Sequence, residues 1–360
     1  MADFSPRIDR RGLLKALGLG GLGLAAGRIL TPSRAFASPG SPLVAKGKLY
    51  QTTPERARVA LVKGNDRRDN VLAALKQIED QVVPAIGNKK VLVKPNFVST
   101  NRPLAATHVD TVRAILDFLK PHVKSQIIVA ESPAGGSAMT GFQNYDYLKL
   151  EQEYNCTLVD LNGDDQTFQY RYVLGRGNAP TPIRIISTFL DPDLYIISAA
   201  KMKTHDRVVT TLSLKNILMA SPLVNGSGRD KGKMHQAERG QEAARDTNLH
   251  FNLFSLAQEI YPDLGVIDGF EAMEGAGPVN GTPVDARVAL ASTDCLALDC
   301  LTTKLMGFDA SQILYLASMG QAGMGQTDLA KIDVLGTPAE QCQFHFKVSD
   351  RVAQAYGITA

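Results

Sequence analysis

Lys201-Met-Lys203-Thr-His205 is the segment of this chain best equipped for chemistry. In extended backbone, alternate side chains share a face, so the spacing predicts Lys201, Lys203 and His205 on one side. Lys215-Asn216 follows on a short helical stretch. Lysines gathered with a histidine suit a phosphate or carboxylate, with His205 as proton-transfer group or ligand. The bland alternative is a solvated basic face.

Other polar motifs share this placement. Lys94-Pro95-Asn96, Glu131-Ser132-Pro133 with Gly135-Gly136-Ser137, Asp268-Gly269-Phe-Glu271 with Glu274-Gly-Ala-Gly277-Pro278, and Ser292-Thr-Asp294 each follow an apolar run. In parallel α/β sheets, ligands bind beyond the carboxyl ends of the strands. Five such turns therefore predict one composite site at one sheet edge. Glycine turns let backbone N–H groups approach an anion, although this one is no Walker sequence. Asp268, Glu271 and Glu274 could pair with lysines, act as base, or hold a hard cation. With His205 or His235 they make candidates for a nitrogen/oxygen metal site.

The elements that must carry these residues alternate. Val59–Lys63, Lys90–Lys94, 126–130, 157–160, 194–198, 264–268 and 284–291 read as strands, with 331–335 and 344–348 as late ones. Helical spacing covers 70–83, 110–119, 212–219, 252–260 and 294–306. Strands separated by helices imply an open, mostly parallel sheet with helices on both faces, in one domain or two α/β lobes. The polar, glycine-containing stretch 221–247, with His235, is too long for an ordinary connection and is a candidate lid.

Composition limits the classes. Of 360 residues, 44% are hydrophobic and 21% charged, which excludes wholesale disorder and low-complexity architectures. The N-terminus reads as an export signal. Asp9-Arg10-Arg11-Gly12-Leu13-Leu14-Lys15 resembles the twin-arginine motif, a short apolar run follows, and Ala35-Phe36-Ala37 supplies a cleavage site. Residues 1–37 are thus expected to be removed after Ala37, with 38–58 as a linker or arm. Removing six basic and two acidic residues leaves 33 basic against 34 acidic, a net charge of −1 for the mature chain. No basic stripe points to nucleic acid, and no other apolar run approaches a membrane span. The expected product is exported, periplasmic or extracytoplasmic, with the twin-arginine machinery as partner and no membrane association after cleavage. Cys156, Cys295, Cys300 and Cys342 include no C-x-x-C, so an iron–sulfur cluster is not expected; they read as core residues.

Taken in order, Lys94-Pro95-Asn96, Glu131-Ser132, Lys201-Met-Lys203-Thr-His205, Lys215-Asn216, Asp268-Gly269, Glu274-Gly275-Ala-Gly277-Pro278 and Asp294-Cys-Leu-Ala-Leu-Asp299 with Met306-Gly307 resemble the domain-of-unknown-function family 362. The resemblance runs from about Val59 to Gly307. It implies that the motif residues group in one site, and it supplies no substrate. Many relatives are fused to ferredoxin-like cysteine clusters, which this chain lacks.

Three functions remain in view. One is an exported enzyme. There Lys94, Lys201, Lys203 and Lys215 hold an anionic substrate or cofactor and His205 transfers protons. Asp268 or Glu274 is base or metal ligand, and Asn96 and Asn216 orient the ligand beside Glu131 and Ser132. The second is a non-catalytic anion- or cofactor-binding or cofactor-assembly protein. The third, an iron–sulfur redox partner, is disfavoured by the cysteine spacing.

Overall fold

Apolar runs with a two-residue period place alternate side chains in two separate cores, one on each face of a sheet. Val91, Val93, Tyr195 and Ile197 enter one core, while Leu92 and Ile196 enter the other. The structure is a computed structural model. It describes residues 53–358, apart from Ser227 and residues 236–244, together with the short strand pair Val44–Ala45 and Lys48–Leu49. The twin-arginine segment 1–37 and most of the 38–58 arm lie outside the described residues, as does part of the 221–247 stretch.

In chain order the elements begin with β1 (Ala57–Lys63), α1 (Arg67–Lys76), α2 (Glu79–Ile86), β2 (Lys90–Lys94), α3 (Val109–Leu119), β3 (Ile127–Glu131) and β4 (Cys156–Asp160). A hairpin of β5 (Phe168–Leu174) and β6 (Pro180–Ile186) precedes β7 (Leu194–His205), β8 (Val209–Thr211) and α4 (Ser213–Leu218). Then come α5 (Thr247–Ala257), β9 (Leu264–Glu274), β10 (Thr282–Ser292), α6 (Cys295–Leu305) and β11 (Ile332–Gly336). The nine-stranded sheet runs β11-β1-β10-β9-β7-β2-β3-β4, with β8 added against the end of β7. Neighbours along it are parallel except around β10, which opposes both β9 and β1. Helices α1 and α3 cover one face through Val71, Leu75, Val112 and Ile115. Helices α4, α5 and α6 cover the other through Ile217, Leu253 and Leu298. The fold is therefore α/β, with a mostly parallel sheet and helices on both faces.

Several elements differ from the sequence reading. The 70–83 helix is two helices, because the chain turns at Gln77 and Ile78 while Ile78 and Val82 stay in the same core. β7 does not stop at Ser198 but runs to His205, held by β8 through the pairs Lys203–Thr211 and His205–Val209. Residues 344–348 form no strand. The N–H groups of Phe344 and Phe346 bond instead to the carbonyls of Leu305 and Met306 at the end of α6, at 2.7 and 2.9 Å. The β5–β6 hairpin had no periodic signal strong enough to read, because Pro180 and Pro182 interrupt β6 and Tyr170 and Tyr172 are exposed.

α4 has an unusual start. No side chain of its own caps it. Asp299 of α6 reaches across instead and accepts from Ser213 N (2.9 Å), Leu214 N (3.0 Å) and Ser213 Oγ (2.6 Å). This borrowed cap satisfies buried backbone donors that a helix start leaves open. Asp299→Ala is expected to cost about 3 kcal/mol in urea unfolding, because two buried N–H groups lose their acceptor. A change below about 0.5 kcal/mol would show that the cap does not secure α4.

Candidate functional site

β9, β7, β2 and β3 are consecutive and parallel in the sheet, so their carboxyl ends lie side by side. A cavity of about 410 Å³ opens at that edge, walled by β2, β3, β7, α4 and the 229–235 segment. Lys94, Lys203, Lys215, Lys231, Arg207 and Arg229 line it, against the carboxylates Glu131 and Asp206. His205 and His235 also line it, their rings nearly parallel with centroids 6.3 Å apart.

The floor is a hydrogen-bonded network of Lys94, Asn96, Glu131 and Asn216, from which Asn96 Oδ1 alone of the four side chains' buried oxygens and nitrogens is left without a partner among the described residues. Lys94 Nζ pairs with Glu131 Oε1 at 2.7 Å and donates to Asn216 Oδ1 at 2.8 Å, with Lys94 and Glu131 both 1% exposed. Glu131 also accepts from Phe97 N and Ser132 N, at 2.6 and 2.7 Å. Asn216 accepts from Asn96 Nδ2 and donates to Lys94 O and Ser198 Oγ. Buried charges persist when paired and fully hydrogen-bonded. Lys94, Asn96, Glu131 and Asn216 are thus brought together, but most of their polar atoms bond one another. Orienting a ligand is not what Asn216 is placed to do, because its amide is fully engaged by protein. Ser132 bonds Asn162 and accepts from Lys231.

Lys201, Lys203 and His205 do not share one environment. Lys201 turns to Asp268, 3.7 Å away, which Arg67 also meets at 3.2 Å and His108 N at 3.2 Å. Burial alone would raise the Asp268 carboxyl, but Lys201 and Arg67 together hold it below the ordinary carboxylate value. Neither Lys201 nor Asp268 lines the cavity. This pair ties β9 to β7 and to the starts of α1 and α3. The two are direct partners in the β9–β7 ladder, the last pair before its register shifts. Glu271 is exposed, and Glu274 Oε2 accepts from Lys347 N at 2.8 Å. The Glu274–Pro278 motif contributes differently. A Cβ on Gly277 would sit 2.0 Å from Thr204 O, so only glycine lets this loop reach β7 and bring Pro278 to the cavity wall.

His205 Nδ1 meets two groups, the Arg207 N–H and, 3.2 Å away, Asp206 Oδ1. Nδ1 accepts from Arg207 N at 3.1 Å, so a neutral ring carries its proton on Nε2. Burial, then Lys215, His235 and Lys203, push the ring well below its usual value and keep it neutral. A neutral His205 thus offers the cavity a donor rather than a ligand lone pair at Nε2. Among the described residues, no group of three or more His, Cys, Asp or Glu side chains is placed to hold a metal ion. Asp268 and Glu271 are apart from His205 and His235, and the latter's Nδ1 is 3.5 Å from Asp246. The four cysteines are buried, free and distributed through the two cores.

The sequence reading missed Lys231, Arg207, Arg229 and Thr211 as wall residues. Lys231 sits in a charged, glycine-rich stretch whose pattern does not signal burial. It is buried because Asp230 is held by Arg184, at 2.7 Å. That anchor lays Lys231 Nζ against Ser132 O and Oγ and Pro133 O.

With this geometry in place, the chain belongs to the domain-of-unknown-function family DUF362, whose model matches residues 91–304. It is similar to a thylakoid-associated protein of Synechocystis, 28% identical over 268 residues, covering 72% of this chain and 76% of that one. It also aligns with the lactate racemase apoprotein of Thermoanaerobacterium thermosaccharolyticum at 13% identity and a TM-score of 0.42, covering 70% of this chain and 58% of that one. A protein from Thermotoga maritima aligns at 10% identity and a TM-score of 0.39, with 65% and 57% covered. The chain spans less than two thirds of the length of either solved structure.

Two outcomes follow from the electrostatics. Burial pushes Lys231 down to about 7 and Lys215 to about 8, below the 10.5 of an unfolded lysine. Between these values the unfolded chain binds more protons, so these lysines make the ligand-free fold more stable as pH rises from 7 towards 10. Urea midpoints across that range should show this upward contribution, reduced in Lys231→Met; an unchanged slope in the variant would contradict it. Lys201→Ala should cost about 3 kcal/mol, since it leaves buried Asp268 with Arg67 alone, while leaving ligand binding in the cavity intact. Loss of binding without loss of stability would assign Lys201 to the ligand instead.

Proposed function

We propose that this chain is an exported protein that binds an anionic small molecule, a phosphate- or carboxylate-bearing substrate or cofactor, at the carboxyl edge of its sheet. The 38–58 arm would join the leader to the 59–348 domain. One observation carries the binding reading: the wall of the cavity holds six lysines and arginines against two carboxylates, and one of those carboxylates, Glu131, is already paired with Lys94. Like charges gathered in a buried space repel, and an anion relieves that repulsion.

The lysines would then recover their charge on binding. At pH 8, binding should therefore be accompanied by proton uptake, read as a dependence of calorimetric enthalpy on the ionisation enthalpy of the buffer. The enzymatic part of the proposal rests on His205, whose neutral ring would hydrogen-bond the bound molecule through Nε2–H and stabilise negative charge developing on it. The 221–247 stretch would close over the ligand.

Calorimetry and thermal shift with orthophosphate and citrate, against chloride at matched ionic strength, test the binding reading. A stabilisation of about 2.7 kcal/mol is expected at a hundredfold excess over Kd. Lys215→Ala and Arg229→Ala should each weaken it by about tenfold or more. No difference from chloride for either anion would reject the proposal. Binding that survives in His205→Gln with unchanged affinity, together with loss of product formation, would mark an enzyme; ligand-induced stabilisation with no turnover would mark a binding or assembly protein.

A further inference from the structure

Five lysines are buried at or beside the sheet edge, and four have their ammonium groups engaged by protein oxygens. Lys94 is paired with Glu131, and Lys201 with Asp268. Lys203 Nζ donates to Ala105 O at 2.6 Å, and Lys231 Nζ to Ser132 and Pro133. Lys215 differs. It is 5% exposed and lines the cavity, and among the described residues its Nζ makes no hydrogen bond or ion pair. Its helix is fixed from below by Asp299 and by Asn216, so the side chain is presented from a rigid support. His205, with its Nε2 proton, lines the same cavity.

A buried amine that no protein oxygen engages, in a cavity with a proton donor, is equipped as a nucleophile. We propose that Lys215 forms a Schiff base with a carbonyl compound bearing an anionic group, an aldehyde acid or 2-oxo acid. The inference rests on the anion-binding reading and names the substrate class for that same cavity. The anionic group would lie against the wall cations and the carbonyl against Lys215. The Lys215 nitrogen attacks the carbonyl carbon, and the C–N bond forms as the π pair moves to oxygen. The neutral His205 ring hydrogen-bonds that oxygen through its Nε2–H, and the oxygen takes a proton from the new C–NH2+ group. In the carbinolamine the C–O bond then breaks. The hydroxyl, held by the same Nε2–H, leaves as water with the second amine proton, and the nitrogen lone pair closes the C=N bond. Both hydrogens of the amine end on the water, and nothing is oxidised or reduced. Burial supports the step, because it lowers Lys215 to about 8 although Asp206 and Asp246 pull the other way. Roughly a tenth of it is then neutral at pH 7, far more than for an exposed lysine.

Glyoxylate with sodium cyanoborohydride, applied to the whole mature protein near pH 7.5, tests this. The reductant traps an imine as a stable carboxymethyl-lysine, which peptide mass spectrometry locates. The expected result is one adduct, on Lys215, formed about tenfold or more faster than on exposed Lys149 and slowed by orthophosphate. Lys215→Arg keeps the positive charge and should lose the adduct; its melting temperature and phosphate binding are read alongside to show that it is folded. Adducts confined to exposed lysines, or placed on Lys203 or Lys231, overturn the proposal. If orthophosphate still binds in that case, the anion-binding reading stands without covalent chemistry. If neither binding nor a Lys215 adduct is seen, both fall together.

Discussion

The pairing of Lys94 with Glu131, across two neighbouring strands and out of contact with water, is the interaction on which the site depends. It joins the carboxyl ends of β2 and β3, and through Asn216 it reaches α4 on the covering layer. A buried ion pair is stable only when the remaining lone pairs and protons are also met. Here Phe97 N, Ser132 N, Pro95 O and Asn216 meet them. The sheet edge and the helix that carries Lys215 are therefore parts of one hydrogen-bonded unit. Asp299 holds the same helix from the opposite side, by accepting from its first N–H groups.

Around this balanced floor the walls are unbalanced. Lys203, Lys215, Lys231, Arg207 and Arg229 converge with Asp206 as the further carboxylate in the lining. Burial and mutual repulsion push Lys203 well below its ordinary value, and His205 with it. Cations gathered in this way, several of them buried, carry an electrostatic cost. The Lys94–Glu131–Asn216 floor beneath them is hydrogen-bonded throughout, while Asn96 Oδ1 beside it is buried without a partner among the described residues.

The polar residues near the edge divide into two groups with different work. Lys201, Asp268, Arg67 and the backbone of His108 form a second buried cluster that ties the starts of two helices to β9. Glu274 meets the backbone of Lys347, and its loop serves the cavity through Gly277 and Pro278. Charged residues of the same type thus diverge into cavity-lining and fold-holding positions. The deciding factor is what each side chain meets: Lys201 stands opposite Asp268 in the β7–β9 ladder, whereas Lys203, beyond the register shift, stands opposite Met273.

Periodicity alone determined much of the architecture. The alternation in 90–94 and 194–198 and the helical spacing in 110–119 describe local burial, and local burial is what a two-residue or 3.6-residue period records. The gathering of Lys94, Glu131, Lys203, His205, Lys215 and Asn216 at one edge was also legible, because parallel strands bring their carboxyl ends together. Tertiary structure alone decided the rest. Lys201 left the cavity for Asp268, Lys231 became buried through Arg184 and Asp230, and Asp299 became the cap of another helix. It also left Lys215, among the buried lysines, with no protein oxygen of its own among the described residues. These outcomes depend on which distant side chain fills a given few ångströms of space, and no period along a single chain encodes that.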